Sequence, residues 1–124
     1  MEFSPFSYNE SVAQEYFPLT KDQVIQKGYQ WKDMEGEGKQ FTVLGKNLPA
    51  RISEVQESIL KDVIACEHEG ACLEQCTKVF RVIPRELEFY QRANLPIPSL
   101  CPNCRHYARM KRRNPIKLWK RNCE

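Results

Sequence analysis

The chain has 124 residues, of which 41% are apolar and 28% are charged, so it can bury only a modest core as one small domain. No apolar run approaches the roughly 18 residues that a membrane-spanning helix requires, and we expect no membrane association. The net charge of +3 conceals an uneven distribution. Residues 1–88 hold ten Lys and Arg against fifteen Asp and Glu, whereas residues 89–124 hold nine against one. The chain therefore has an acidic first part and a strongly basic end.

The six cysteines offer either disulfides or metal ligands as a means of stabilising this modest core. Disulfides belong to oxidising compartments, but the first ten residues contain neither the basic region nor the apolar region of an export signal. We therefore expect a cytoplasmic protein with reduced thiols and a bound metal.

The N-terminal part begins with an arm, residues 1–18, that carries five aromatic rings and two prolines. We expect at most one helical turn in this arm. Thr20 and Gln23 then form the capping-box pattern that begins a helix. Gly28 is placed to end that helix as a left-handed C-cap. The sequence thus predicts one short helix after the arm.

An acidic loop with two glycines, residues 33–40, precedes a short strand predicted at residues 41–44. Ser53 and Gln56 repeat the capping-box pattern and predict a second helix that leads to Cys66. Three apolar residues of that helix recur at i, i+4 and i+8 on one face: Val55, Ile59 and Val63.

The C-terminal half predicts one strand and three helices. β-branched and aromatic residues nearly alternate over residues 78–83, as in a strand. Pro84 suits the first position of a helix that runs to Ala93, and the prolines at 96 and 98 keep residues 95–98 extended. A basic helix should run from about Asn103 to Arg113, and a last helix from Pro115 to about Arg121. The first helix should cover the cysteines with three side chains: Leu87, Phe89 and Tyr90.

Two close pairs of cysteines, Cys72-x₃-Cys76 and Cys101-x₂-Cys104, are separated by a 24-residue segment. A zinc ion takes four thiolates at about 2.3 Å in a tetrahedron, and a pair at this short spacing can supply two of them from one turn. The sequence therefore predicts a Zn²⁺ site formed by these four cysteines. Disulfides and plain buried thiols are the two alternatives.

Two further cysteines, Cys66 and Cys123, lack an assigned role, and His68 and His106 lie near the others in sequence. These four residues are candidates for a second site or for substitute ligands of the first. The alternative interpretation, which we favour, is that His68 belongs to a solvated loop and His106 faces solvent on a helix.

Catalysis is not expected at an all-thiolate site. A catalytic zinc keeps one coordination position open for water and has a general base beside it. Four cysteines close the coordination shell, and no Glu or His stands at a spacing that suits a base. We therefore expect a structural zinc and no enzymatic activity.

From Cys72 onward the chain resembles the bacterial "probable zinc-ribbon" family. The segments that carry this resemblance are Cys76-Thr-Lys-Val-Phe80, Glu86-Leu-Glu-Phe89-Tyr90, Leu95-Pro-Ile-Pro98 and Cys101-Pro-Asn-Cys104-Arg105. The resemblance implies that Cys72, Cys76, Cys101 and Cys104 bind zinc, but it implies no activity. This chain has three residues between Cys72 and Cys76 where the family has two, and it has Thr77 where the family has Gly. The first departure leaves open whether Cys66 takes the place of Cys72.

The segment from residue 105 to residue 121 holds eight cations and no acid. Lys and Arg interleaved with aromatic rings are what phosphate contact and base stacking require. We therefore predict that this segment contacts RNA or DNA, mostly through the backbone. The residues concerned are Arg105, Arg109, Lys111, Arg112, Arg113, Lys117, Lys120 and Arg121, with Tyr107 and Trp119 for stacking. The alternative is a solvated basic face that pairs with the acidic part of the chain or with a partner subunit.

Together these features predict an α+β fold. Residues 1–65 would form an acidic N-terminal extension with two short helices, and residues 66–124 a zinc-binding module with basic C-terminal helices. A treble clef places its second ligand pair at the start of a helix, which suits Cys104 and Arg105 better than a pure zinc ribbon does. The predicted function is structural zinc binding with nucleic-acid contact. The alternative function is a zinc-stabilised protein–protein interaction module without nucleic-acid binding.

Overall fold

The computed structural model describes residues 4–33, 40–114, 116 and 118–120. The chain forms two compact units. The terminal unit comprises Met1–Asp33 and Tyr107–Glu124, and the central unit comprises Met34–His106. The domain boundary predicted after residue 65 falls inside the central unit.

The terminal unit contains a 3-10 turn, Tyr8–Glu10, and two short helices, α1 (Ala13–Tyr16) and α2 (Lys21–Gln26). Thr20 and Gln23 cap α2 reciprocally, because each side chain accepts a hydrogen bond from the other residue's backbone N–H. The prediction for the start of this helix is confirmed. The helix ends at Gln26, and Gly28 follows it with a φ of 75°, the left-handed conformation predicted for this position, which glycine adopts without strain.

The aromatic arm docks on the segment that follows α2. The side-chain amide of Asn9, which is buried, donates to the carbonyl of Lys32 at 2.7 Å and accepts from its N–H at 2.9 Å. The ring of Tyr8 stacks on that of Tyr29 with centroids 5.5 Å apart. These contacts replace solvent for both backbone groups of Lys32 and hold the arm in one register.

The central unit contains a three-stranded sheet in the order β1-β2-β3. Its strands are β1 (Val43–Leu44), β2 (Ile64–Ala65) and β3 (Val79–Phe80). β1 pairs parallel with β2, and β2 pairs antiparallel with β3. Together with helices α3 (Pro84–Ala93) and α4 (Pro102–Met110), this sheet confirms the α+β class.

The predicted helix over residues 53–63 is wrong. In its place stand two 3-10 turns, Ile52–Glu54 and Glu57–Lys61, separated by an extended Gln56 with a ψ of 155°. Pairing with the segment that leads into β1 keeps Val63 out of a helix, because the carbonyl of Val63 accepts a hydrogen bond from the N–H of Thr42 at 2.8 Å. β-branched residues are also weak helix formers, so little helical propensity opposes this pairing.

The helix predicted from Pro84 to Ala93 is confirmed at both ends, and Asn94, with a φ of 50°, follows it in the left-handed conformation. The next helix, α4, occupies Pro102–Met110 rather than residues 103–113. Of the last predicted helix, the described residues Ile116 and 118–120 are not helical, and the prediction is wrong there. Residues 115, 117 and 121 lie outside the described part, as do residues 34–39 of the predicted acidic loop.

The core of the central unit joins apolar side chains from the sheet and both helices to buried cysteines. Leu87 and Tyr90 of α3 pack in this cluster, as predicted, whereas Phe89 is 48% exposed and the prediction for it is wrong. The cysteines of the cluster are Cys66, Cys76, Cys101 and Cys104. Among the described residues, no helix is long and apolar enough to span a membrane.

Candidate metal centre

Four buried sulfur atoms meet where the sheet approaches the start of α4. Cys66 directly follows β2, and Cys76 lies in the turn that leads into β3. Cys101 immediately precedes α4, and Cys104 lies in its first turn. The four Sγ atoms all lie within 4.8 Å of one another. Elements far apart in sequence thus bring four potential ligands to one point.

The spacing of these sulfurs is that of a tetrahedral metal site. The Sγ atoms of Cys66 and Cys104 are 3.9 Å apart, as are those of Cys76 and Cys101. Metal–sulfur bonds of about 2.3 Å in a regular tetrahedron place neighbouring sulfurs about 3.8 Å apart. A divalent ion would therefore require little rearrangement of these side chains.

Backbone N–H groups point at three of the four sulfurs. The N–H of Lys78 lies 3.4 Å from Cys76 Sγ, and that of Cys101 lies 3.3 Å from Cys66 Sγ. The N–H of Cys104 lies 3.5 Å from Cys101 Sγ. Such donors stabilise sulfur in its thiolate form, which is the form that binds metal.

Without a metal, the thiols of this cluster differ in how readily they ionise. Burial opposes ionisation of Cys101, but hydrogen bonds from the backbone of Cys104 and from Thr77 lower the pKa of its thiol to about 6. Burial, followed by the neighbouring Cys101, raises the pKa of the Cys104 thiol. Burial likewise raises the pKa of Cys66. One thiolate forms readily in this group, and a bound cation would stabilise the ionised form of the others.

A second group of potential ligands adjoins the first and shares one residue with it. The donor atoms of His68, Cys72, Glu74 and Cys104 also lie within 4.8 Å of one another. The Sγ atoms of Cys72 and Cys104 are 3.7 Å apart. His68 Nδ1 lies 3.3 Å from Glu74 Oε2. This group differs from the first in mixing sulfur, nitrogen and oxygen donors.

The structure brings three of the four predicted cysteines together: Cys76, Cys101 and Cys104. The fourth member of this group is Cys66 rather than Cys72, an exchange that the sequence analysis left open, and Cys72 lies in the second group. His68 joins that second group, whereas His106, among the described residues, belongs to neither. Cys123 lies outside the described residues. Sequence reasoning missed Glu74, for which the only signal was an acidic residue between two cysteines.

Arg105, at the centre of α4, is engaged within the central unit. Its guanidinium donates to Glu86 Oε1 at 2.8 Å and to the Tyr90 hydroxyl at 2.7 Å. The Tyr90 hydroxyl in turn donates to Glu86 at 2.8 Å. Burial, followed by Glu86, raises the pKa of Tyr90 and keeps this hydroxyl protonated as a donor. The three groups form a closed triangle that ties α3 to α4.

We expect the substitution Arg105→Met to lower the free energy of unfolding by about 1 to 3 kcal/mol, since charge-assisted hydrogen bonds of this kind contribute about that much. Urea denaturation followed by circular dichroism measures the change. Arg109→Met, at an exposed position of the same helix, removes the same charge and serves as the control. Equal effects of the two substitutions would contradict a stabilising role for the triangle.

The other basic residues of the C-terminal segment are more accessible. The exposed cations among the described residues of this segment are Arg109, Lys111, Arg112, Arg113 and Lys120. The guanidinium of Arg113 lies 5.4 Å from the centre of the Tyr16 ring. Trp119 is 65% exposed, but Tyr107 is only 8% exposed and cannot present its ring for stacking. Lys117 and Arg121 lie outside the described residues.

The first group offers four sulfurs and the second offers two sulfurs, a nitrogen and an oxygen. Both are sets of donor atoms that divalent transition metals accept. The central unit therefore has a cysteine cluster that is suited to bind a metal ion. A comparison of the chain with protein-family models gave no match, and searches of the curated proteins and of the solved structures gave none.

Proposed function

We propose that the protein binds a structural zinc ion through Cys66, Cys76, Cys101 and Cys104. The observation that carries this proposal is the near-tetrahedral spacing of four buried sulfurs, with pairs 3.9 Å apart. Soft thiolates in a closed tetrahedron are typical of structural zinc sites, whereas catalytic zinc keeps a position open. The proposed role of the ion is therefore to stabilise the central unit, without enzymatic activity.

The position of the sulfurs favours a treble-clef-like module over a zinc ribbon. Cys66 and Cys76 flank the connection between antiparallel strands β2 and β3, and Cys101 and Cys104 stand at the start of α4. A ribbon would take its second pair of ligands from another β-turn. The resemblance to the zinc-ribbon family extends over the same cysteines, apart from the exchange of Cys66 for Cys72.

The basic segment is proposed to contact the phosphate backbone of RNA or DNA. Its support is the run of exposed cations at Arg109, Lys111, Arg112, Arg113 and Lys120, with the exposed ring of Trp119 beside them. Each phosphate contact releases condensed counterions, so binding should weaken steeply with salt. Arg105 and Tyr107 are left out of this surface, because the first is engaged with Glu86 and the second is buried.

A protein partner is the second candidate. Several large apolar side chains of the terminal unit are exposed, which is a feature of surfaces that bind other proteins; those of the N-terminal arm include Phe6, Val12 and Phe17. The extended segment at residues 95–98 gives less support for a partner surface, since Ile97 is buried. Binding through apolar contacts would change little with salt.

The test is fluorescence anisotropy of labelled single-stranded RNA, single-stranded DNA and duplex DNA over a range of salt concentrations. A triple variant, Arg109→Gln, Arg112→Gln and Arg113→Gln, should weaken binding and reduce the log–log salt slope by about 0.9 per lost contact on duplex DNA. The matched control is Lys46→Gln, Arg51→Gln and Lys61→Gln, which changes the net charge equally at exposed positions of the central unit. Equal losses in the two variants, or no binding at low salt, would contradict the proposed surface.

A further inference from the structure

Cys104 belongs to both groups of donor atoms, and this shared residue points to a second metal ion. We propose that His68, Cys72 and Glu74 bind a second divalent ion, and that the Cys104 thiolate bridges it to the first. This inference rests on the proposed function for the first ion only. It adds a site with mixed donors beside the closed site of four sulfurs.

The distances around Cys104 suit a bridging sulfur. Its Sγ lies 3.9 Å from that of Cys66 in the first group and 3.7 Å from that of Cys72 in the second. Both values match the edge of about 3.8 Å expected between two thiolates on one tetrahedral ion. A thiolate has more than one lone pair, so Cys104 can bind an ion on each side without leaving either group.

The remaining donors complete a second tetrahedron. His68 Nδ1 and Glu74 Oε2 are 3.3 Å apart, and both lie within 4.8 Å of the two sulfurs of the group. Thiolate, imidazole and carboxylate are all ligands that zinc accepts. The site takes a zinc-like divalent ion in preference to magnesium or calcium, which require oxygen ligands.

The local charges also favour a cation at this point. The side chain of Glu74 is only 10% exposed, and its carboxylate lies beside the thiol of Cys72. Burying a carboxylate next to a thiolate is costly unless opposite charge lies between them. The two positive charges of a divalent ion equal the charges of the Cys72 thiolate and the Glu74 carboxylate. The bridging thiolate then adds no further charge to the cluster.

The proposed ligands His68, Cys72 and Glu74 lie on the loop between β2 and β3, and two backbone turns fold this loop back on itself. The N–H of Glu69 donates to the carbonyl of Cys66 at 2.8 Å, and the N–H of Ala71 donates to that of His68 at 2.7 Å. Next to Glu74 and Cys104 in sequence, the side-chain amide of Asn103 in α4 donates to the carbonyl of Gln75 at 2.8 Å. The donors of the loop are therefore held against α4 by the protein's own hydrogen bonds.

The second ion should exchange more readily than the first. His68 is 35% exposed at its side chain and Cys72 is half-buried, whereas the four sulfurs of the first group are buried. Ligands that reach solvent can be protonated or displaced without unfolding the core. Under limiting chelator, the second ion should therefore leave first and the first ion should remain.

Native mass spectrometry of the full chain, purified under reducing conditions and supplied with excess Zn²⁺, tests the number of ions. We expect two ions for the natural chain and one for Cys72→Ser. Glu74→Gln should lower the affinity for the second ion by at least about tenfold in chelator competition. Losing a residue that only hydrogen-bonds to a metal ligand already lowers metal affinity by that much. Glu69→Gln, an exposed position of the same loop, is the matched control and should retain two ions.

Substitution with ¹¹³Cd²⁺ tests the bridge itself. We expect two cadmium resonances, with the β-protons of Cys104 coupled to both. One ion in the natural chain would overturn the second site and leave the first intact. Two ions with Cys104 coupled to only one of them would overturn the bridge. No bound ion would overturn this inference and the proposed function together, so the two failures are distinguishable.

Discussion

The substitution Cys101→Ser should unfold the central unit under conditions in which the natural protein is folded. Cys101 is fully buried, and its sulfur lies 3.9 Å from that of Cys76. A structural zinc ion contributes about 10 to 16 kcal/mol of apparent binding free energy, which is comparable to the whole unfolding free energy of a typical domain, about 5 to 15 kcal/mol. Thermal unfolding followed by circular dichroism in the presence of zinc measures this loss.

A chelator separates loss of the metal from loss of packing. The natural protein in excess chelator should melt at nearly the temperature of Cys101→Ser, and chelator should have little further effect on the variant. Cys72→Ser is the control, because it leaves all four sulfurs of the first group in place and removes one half-buried ligand of the second. Unchanged melting of Cys101→Ser, with no effect of chelator on the natural protein, would refute the zinc site.

The elements that the sequence predicted well are those whose signals are local. The capping pair of Thr20 and Gln23 and the proline at the start of α3 act within one helical turn, so a reader of the sequence can assign them. The helix predicted over residues 53–63 failed because the decisive contact is the pairing of Val63 with Thr42, 21 residues away. The capping pattern at Ser53 carried no information about that partner.

The residues of the candidate site also divide into those that local spacing predicts and those that only long-range contacts bring together. The spacing of Cys101 and Cys104 identified two of the clustered sulfurs, because both come from one turn. The proximity of Cys66 and Cys104 depends instead on β2 lying next to the start of α4, a relation that spans 38 residues. Glu74 joins the second group because its loop folds back toward Cys104, and no spacing pattern in the sequence predicts this fold.

Burial likewise changed the interpretation of the basic segment. Arg105 and Tyr107 are residue types that nucleic-acid surfaces use, so the sequence alone does not distinguish them from the other basic and aromatic residues of the segment. The acid that engages Arg105 is Glu86, 19 residues earlier in the chain, so only the tertiary structure identifies this pair. The exposed cations are therefore fewer than the composition suggests.

The substitution Gly45→Ala should lower the free energy of unfolding by about 3 kcal/mol or more, toward the upper end of the cost of overpacking. A Cβ atom at this buried position would lie 2.5 Å from the carbonyl oxygen of Ser99 and 2.6 Å from that of Ala65. Both neighbours are backbone atoms, which cannot rotate away as a side chain can. Because Ala65 precedes Cys66 and Ser99 stands two residues before Cys101, the displaced backbone carries two of the four sulfurs. Affinity for zinc, measured by competition with a chelator, should fall together with stability.

Gly28→Ala separates crowding from backbone strain. Gly28 has a φ of 75°, but a Cβ there would meet nothing within 4 Å. Alanine at that position incurs the left-handed penalty of about 1 to 2 kcal/mol and should leave zinc affinity unchanged. The φ of Gly45 lies outside the left-handed region, so its substitution tests close packing alone. If Gly45→Ala lowered stability no more than Gly28→Ala and left zinc affinity unchanged, the approach of residues 65 and 99 to Gly45 would not be what positions the sulfurs.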